Sequence, residues 1–177
     1  MHRENPRYLW EERRKSNIFG VVLFILDDQN RVFTLQEMET DEKTGKIPGK
    51  YGVICEKRTG IGESWAANMW RAIQEETKIP DDEICNVIDF PYLTPERLFE
   101  TQFVEGVWAT VVVLRCKNSK KFMELVEANK LPENNPIPDE VRPIGFISKE
   151  EFEKLELRSG VRNIMDKFGE HIFNHKI

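Results

Sequence analysis

Residues 60–79 read Gly60-Ile61-Gly62-Glu63-Ser64-Trp65-Ala66-Ala67-Asn68-Met69-Trp70-Arg71-Ala72-Ile73-Gln74-Glu75-Glu76-Thr77-Lys78-Ile79. The glycines mark a loop, and the loop feeds a helix from Ser64 to about Lys78 that Pro80 helps to stop. Arg71 stands four residues before Glu75, so an ion pair along the helix can orient that carboxylate. Glu63, Glu75 and Glu76 place several carboxylates on one helix and its entry loop, where they repel one another. Such clustering persists when a hard cation neutralises it, and oxygen ligands select Mg²⁺ or Mn²⁺ over zinc. The plain alternative is a solvated helix face, with Arg71–Glu75 a surface pair worth about 0.3–0.5 kcal/mol. For Arg71-x-x-x-Glu75-Glu76 taken alone, that alternative wins.

The flanking chain supplies strands. Residues 17–28 contain the nearly continuous apolar run Ile18-Phe-Gly-Val-Val-Leu-Phe-Ile-Leu26, which predicts a buried strand. Turn chemistry at residues 27–30 leads into an alternating return strand over 31–37. Residues 38–49 are polar, with Gly45, Pro48 and Gly49, and read as a loop before a third strand over 50–56. Beyond the helix, strands are expected over 85–90, 99–104 and 106–117, and a helix over 120–129. A Pro- and Asn-containing loop follows over 130–140, then a strand over 141–147. Ser148 and Glu151 form a capping box that opens another helix. The last helix spans 159–173, with Val161, Ile164, Met165, Phe168 and Ile172 at helical spacing. This order fits a mixed α/β sandwich.

The segment from Lys57 to Ile79 resembles the signature of the Nudix hydrolase family, G-x5-E-x7-R-E-U-x-E-E-x-G-U, where U is bulky and apolar. Glu63, Arg71, Ile73, Glu75, Glu76 and Ile79 match as they stand, and Gly62-Glu63-Ser64 resembles the family's frequent Gly-Glu-Ser. The resemblance implies a Nudix-like α/β/α sandwich with a mixed β-sheet. It also implies a metal-dependent hydrolase that cleaves the pyrophosphate link of a nucleoside diphosphate joined to another moiety. By the same resemblance Glu75 and Glu76 would ligate Mg²⁺, or Mn²⁺, with Glu63 supporting the site and Arg71 holding the helix carboxylates. The substrate implied is a small phosphorylated nucleotide-type molecule. Three signature positions depart: the first Gly is Lys57, the Glu after the Arg is Ala72, and the Gly near the helix end is Lys78. Lys57 and Lys78 touch backbone turns, at some expected strain. Ala72 removes a carboxylate. Positions 72 and 76 share a helix face, and in the family that pair helps to hold the cation. The alternative is therefore a catalytically weak or inactive Nudix-fold module that binds a nucleotide or a protein.

Other candidates carry less. Met69 and Ile73 read as core, and Trp65 as partly exposed. Glu140, beside Asp139 after the Pro/Asn loop, stands where the family often adds a carboxylate, against a plain reading as a charged strand end. Glu100 and Glu105 have still less support, and Glu151 is a helix cap. His171 and His175, four apart, have no third ligand and read as a helix end. Cys55 leads into the box. Isopentenyl diphosphate isomerases share the fold and use a Cys on a comparable strand, but alongside His ligands, and this sequence has no His between His2 and His171. Cys55 therefore reads as a small buried hydrophobe, with Lys57 and Arg58 beside it as possible phosphate contacts.

Composition bounds the rest. The chain has 177 residues, 40% hydrophobic and 32% charged, enough for a core without staples. The expected organisation is an N-terminal arm over 1–16, anchored by Tyr8 and Trp10, and one Nudix-like domain over 17–177. The net charge of -5, from 26 basic and 31 acidic residues, argues against DNA binding or a nucleic-acid coat. The longest apolar runs fall short of the ~20 residues that span a membrane. The first eight residues hold no apolar run, so no secretory leader is expected. Three cysteines spaced about thirty residues apart suggest neither a zinc knuckle nor a disulfide framework, and a reducing cytoplasm is the expected home. The aromatic-bearing arm leaves an oligomer open.

Overall fold

A computed structural model describes residues 18–60, 62–90, 96–137 and 139–174. The expected arm over 1–16 and His175 lie outside them. The described residues form an eight-stranded mixed sheet covered by helices on both faces. At its centre, strand β1 (Ile18–Leu26) runs parallel to β7 (Val107–Cys116), with Val22 opposite Val111 and Phe24 opposite Val113. The other pairings are antiparallel: β2 (Val32–Glu37), β3 (Tyr51–Gly52), β4 (Ile54–Lys57), β5 (Ile88–Asp89), β6 (Leu98–Val104) and β8 (Val141–Ile147).

The continuous apolar runs are explained by burial on both faces, and the two-residue period of a strand sorts their side chains. Val21, Leu23 and Ile25 of β1, with Val112, Leu114 and Cys116 of β7, meet helices α1 (Trp65–Thr77), α2 (Asp81–Val87) and α3 (Ser119–Ala128). Val22, Phe24 and Leu26, with Ala109, Val111 and Val113, meet α4 (Lys149–Lys154) and α5 (Ser159–Phe173). Each fully buried large apolar side chain contributes about 1.5–3 kcal/mol, so the two clusters hold the layers together.

Two expectations change. The strand predicted over 85–90 is mostly helix α2, with only Ile88–Asp89 extended. Asp81, Asp82 and Glu83 suit a helix N-terminus, and Ile84 and Val87, three apart, reach the core together. The strand predicted over 50–56 is two pieces. Tyr51 and Gly52 pair with β2, whereas Ile54–Lys57 pair with β1, so the chain changes partner at Val53. Gly20 permits that second pairing, since a Cβ there would collide with the Glu56 carbonyl oxygen. The predicted capping box is present: Ser148 Oγ accepts from Glu151 N at 3.2 Å, and Glu151 Oε2 accepts from Ser148 N at 3.1 Å.

Candidate active site at the entry helix

Helix α1 begins where Ser64 Oγ accepts the Ala67 amide at 3.1 Å. It ends at Lys78, whose φ of 58° is left-handed, with its N–H donated to the Gln74 carbonyl at 2.9 Å. The turn that glycine favours is therefore kept by a lysine, at a cost of about 1–2 kcal/mol. Lys57, expected to be strained, is ordinary strand backbone at the end of β4.

Arg71 gathers the carboxylates that the sequence singled out. Its Nε donates to Glu63 Oε1 at 2.9 Å and its Nη2 to Glu63 Oε2 at 3.1 Å, a two-pronged contact across eight residues. Its Nη1 donates to Glu75 Oε2 at 3.1 Å and lies 3.4 Å from Glu56 Oε1, and Nη2 also donates to the Lys57 carbonyl. Glu63 Oε2 further accepts the Thr59 amide at 2.8 Å. The Arg71 guanidinium and that amide hold the Glu63 carboxyl well below its usual range, at about 2. Both Glu63 oxygens are thus engaged in tying the glycine loop to the helix.

Glu76 points the other way. The face of α1 formed by Met69, Ala72, Ile73 and Glu76 is turned into the protein, and Glu76 is only 6% exposed. Its Oε2 is buried without a hydrogen-bond partner among the described residues. Burial, with Glu56, Glu37 and Glu140 adding to it against the pull of Lys46, raises its carboxyl to about 8. Ala72 shares this face, as the helical spacing requires, but lies within the apolar cluster and is fully buried. One turn before Glu76, the helix is pressed onto the sheet.

Sequence spacing missed three contributors. Glu56 lies two residues beyond core residue Ile54, so strand alternation sends it towards α1. That signal was legible. Burial first, then Glu75, raises its carboxyl. Glu37 continues the alternation of Phe33 and Leu35 and is buried against Arg158, with Arg158 Nη1 donating to Glu37 Oε1 at 2.8 Å. Lys46 comes from the irregular loop over 38–49, and no spacing rule reaches it. Arg158 Nη2 donates to the Thr44 carbonyl at 2.7 Å and pins that loop. Lys46 is backbone-paired with Asp41, its side chain is 12% exposed, and its Nζ lies 3.4 Å from Glu140 Oε2.

Two clefts meet here. One, of about 530 Å³, takes in Glu56, Glu75, Glu76, Lys78, Lys130 and Glu140. The other, of about 750 Å³, takes in Asp41, Lys46, Cys55, Glu56, Lys57 and Glu140. Cys55 is buried and its thiol is pushed up to about 12 by burial, which keeps it neutral as expected of a small hydrophobe. Trp65 is half-buried against the α1 side of the core. Glu100 is half-buried on β6 and Glu105 exposed in the turn after it. His171 Nε2 meets the Glu96 carbonyl at 3.0 Å.

The donors suit a hard dication in kind: they are carboxylate oxygens, and Glu76 Oε2 has an unfilled acceptor position. Among the described residues, no three acidic, His or Cys side chains converge as a finished ligand set. Glu75 is drawn towards Arg71 and Glu140 towards Lys46.

No family model matches the chain, and no curated protein matches it. Among solved structures it is similar to a Nudix hydrolase from M. smegmatis, RenU, at 11% identity and a TM-score of 0.47, over 89% of this chain and 86% of that one. It is also similar to Shewanella oneidensis NrtR at 14% identity and a TM-score of 0.44, over 83% of this chain and 58% of that one. The chain thus spans little more than half of the second protein. Among the described residues no helix is long and apolar enough to cross a membrane.

Proposed function

We propose that the protein is a Nudix-type hydrolase that splits the pyrophosphate link of a nucleoside diphosphate joined to another moiety, with Mg²⁺, or Mn²⁺ in its place. The observation that carries this reading is Glu76 Oε2, buried and unpartnered at a cleft shared with Glu56 and Glu75. Glu75 and Glu76 are the proposed ligands, and Glu56 adds the carboxylate that position 72 lacks. A bound cation supplies charge stabilisation at phosphorus and a more acidic attacking water. The chain's own residues prepare the site. Arg71 fixes Glu75 and Glu56 relative to each other, and Glu63 anchors Arg71 to the loop. Lys78 and Lys130 line the same cleft and offer ammonium groups to phosphate oxygens. Its volume suits a nucleotide-sized ligand. Free thiols at Cys55, Cys85 and Cys116 go with a cytoplasmic setting.

The test is product release from a panel of nucleoside diphosphate sugars, dinucleotides and alcohols, with and without Mg²⁺. Mg²⁺-dependent cleavage of one class supports the reading, and no cleavage of any member counts against it. A second reading, a binding module without turnover, is favoured by Ala72, whose place in the core denies the helix a third carboxylate. It expects nucleotide binding by calorimetry with no product.

A further inference from the structure

Lys46 differs from a solvated surface lysine. Its ammonium lies 3.4 Å from Glu140 Oε2, and its side chain is nearly enclosed. Three carboxylates act on it from three parts of the fold: Glu37 at the end of β2, Glu76 on the inner face of α1, and Glu140 just before β8. Arg158, paired with Glu37, repels it. Two of the three carboxylates carry a buried oxygen with no hydrogen-bond partner among the described residues, Glu37 Oε2 and Glu76 Oε2.

We propose that Lys46 is the resident counter-cation of this carboxylate group, occupying in charge the position that a divalent ion would take, so that an ion binds at Glu76 only in competition with it. The loop geometry favours such a role. Asp41 and Lys46 bond each other's backbone at 3.0 and 2.9 Å, closing a small turn through Gly45 at φ 71°. Lys57 forms an ion pair with the Asp41 side chain, and Arg158 grips the Thr44 carbonyl from below. The ammonium is therefore held close to the carboxylates by the fold, whereas Mg²⁺ must give up tightly held water to reach them. The two organic cations also divide the cluster. Arg71 takes Glu75 and Glu56, while Lys46 takes Glu140, which lines the same cleft as Glu76. That division accounts for the lack of a converged ligand set among the described residues.

This inference rests on the proposed cation site at Glu76, and the experiment separates the two. Mn²⁺ binding is followed above pH 8, where Glu76 has released its proton, by the electron paramagnetic resonance of the free ion, in the parent, Lys46→Met, Lys46→Gln and Lys46→Arg. Removing the unit charge that sits against Glu140, on the wall of the same cleft, should tighten binding about tenfold or more in Lys46→Met. Lys46→Gln gives the same readout should the methionine variant fail to fold. Lys46→Arg, which keeps the charge, should bind as weakly as the parent. Equal binding by the parent and the neutral variants overturns the role of Lys46 and leaves the cation site standing. Tight binding by Lys46→Arg also overturns it, because charge would then not be the cause. No binding in any variant overturns both.

Discussion

Arg71 grips Glu63 with two parallel contacts, Nε to Oε1 at 2.9 Å and Nη2 to Oε2 at 3.1 Å, and so fastens the glycine loop to the second turn of α1. A lysine cannot reproduce that fork. Arg71→Lys should lower stability by about 1–2 kcal/mol, since hydrogen bonds to charged groups are worth ~1.5–3 kcal/mol and part of the contact survives. Glu75→Gln, at a carboxylate half exposed to water, should lower it by much less. Urea denaturation of the two variants checks the order, and a larger loss in Glu75→Gln would contradict it.

Ala72→Glu tests where the helix faces. Ala72 has no exposure and lies among Met69, Ile73 and the β1 side chains. A carboxylate there is buried and unpaired, so the variant should lose about 3 kcal/mol or more, or fail to fold. Added Mg²⁺ should not restore it. A melting temperature near the parent's, raised further by Mg²⁺, would return position 72 to the cation site.

Glu37 and Arg158 form a buried ion pair at 2.8 Å that also carries the loop bearing Lys46. Arg158→Met takes from buried Glu37 its hydrogen-bonded cation, at a cost of about 3–5 kcal/mol. Adding Glu37→Gln to Arg158→Met should recover part of the loss, because no unpaired charge then remains. Losses that simply add in the double variant would contradict the coupling.

The carboxyl of Glu76 is raised from 4.5 to about 8, chiefly by burial. The folded protein then holds a proton that the unfolded chain releases near 4.5. The resulting stability is fully present below that pH and is lost as pH rises to about 8. At ~1.4 kcal/mol per unit, the decline across this window is on the order of a few kcal/mol. Glu76→Gln should flatten the decline. Urea midpoints at pH 5, 6.5 and 8 measure it, and parallel profiles for parent and variant would contradict the burial argument.

What the sequence made legible follows from how local each cause is. The strands β1 and β7, helix α1 and the capping box at Ser148 rest on runs, spacings and caps within one element, and they appear where expected. Arg71 with Glu75 was readable for the same reason, whereas the grip of Arg71 on Glu63 crosses from helix to loop. The helix over Asp81–Val87 was misread because a short apolar run suits strand and helix alike, and the core contacts of Ile84 and Val87 decide between them. The inward turn of Ala72 needed the sheet beneath it. Lys46 and Arg158 reach the site through loop geometry and tertiary pairing, which no pattern within one element encodes.

The central claim is that a divalent cation binds at Glu76, and Mn²⁺ in crystals tests it most directly. The protein, soaked in Mn²⁺, should show an anomalous peak about 2.0–2.3 Å from a Glu76 oxygen, stronger in Lys46→Met than in the parent. The peak should be absent in Glu76→Gln. No peak at Glu76 in either the parent or Lys46→Met, with the fold intact, would contradict the account.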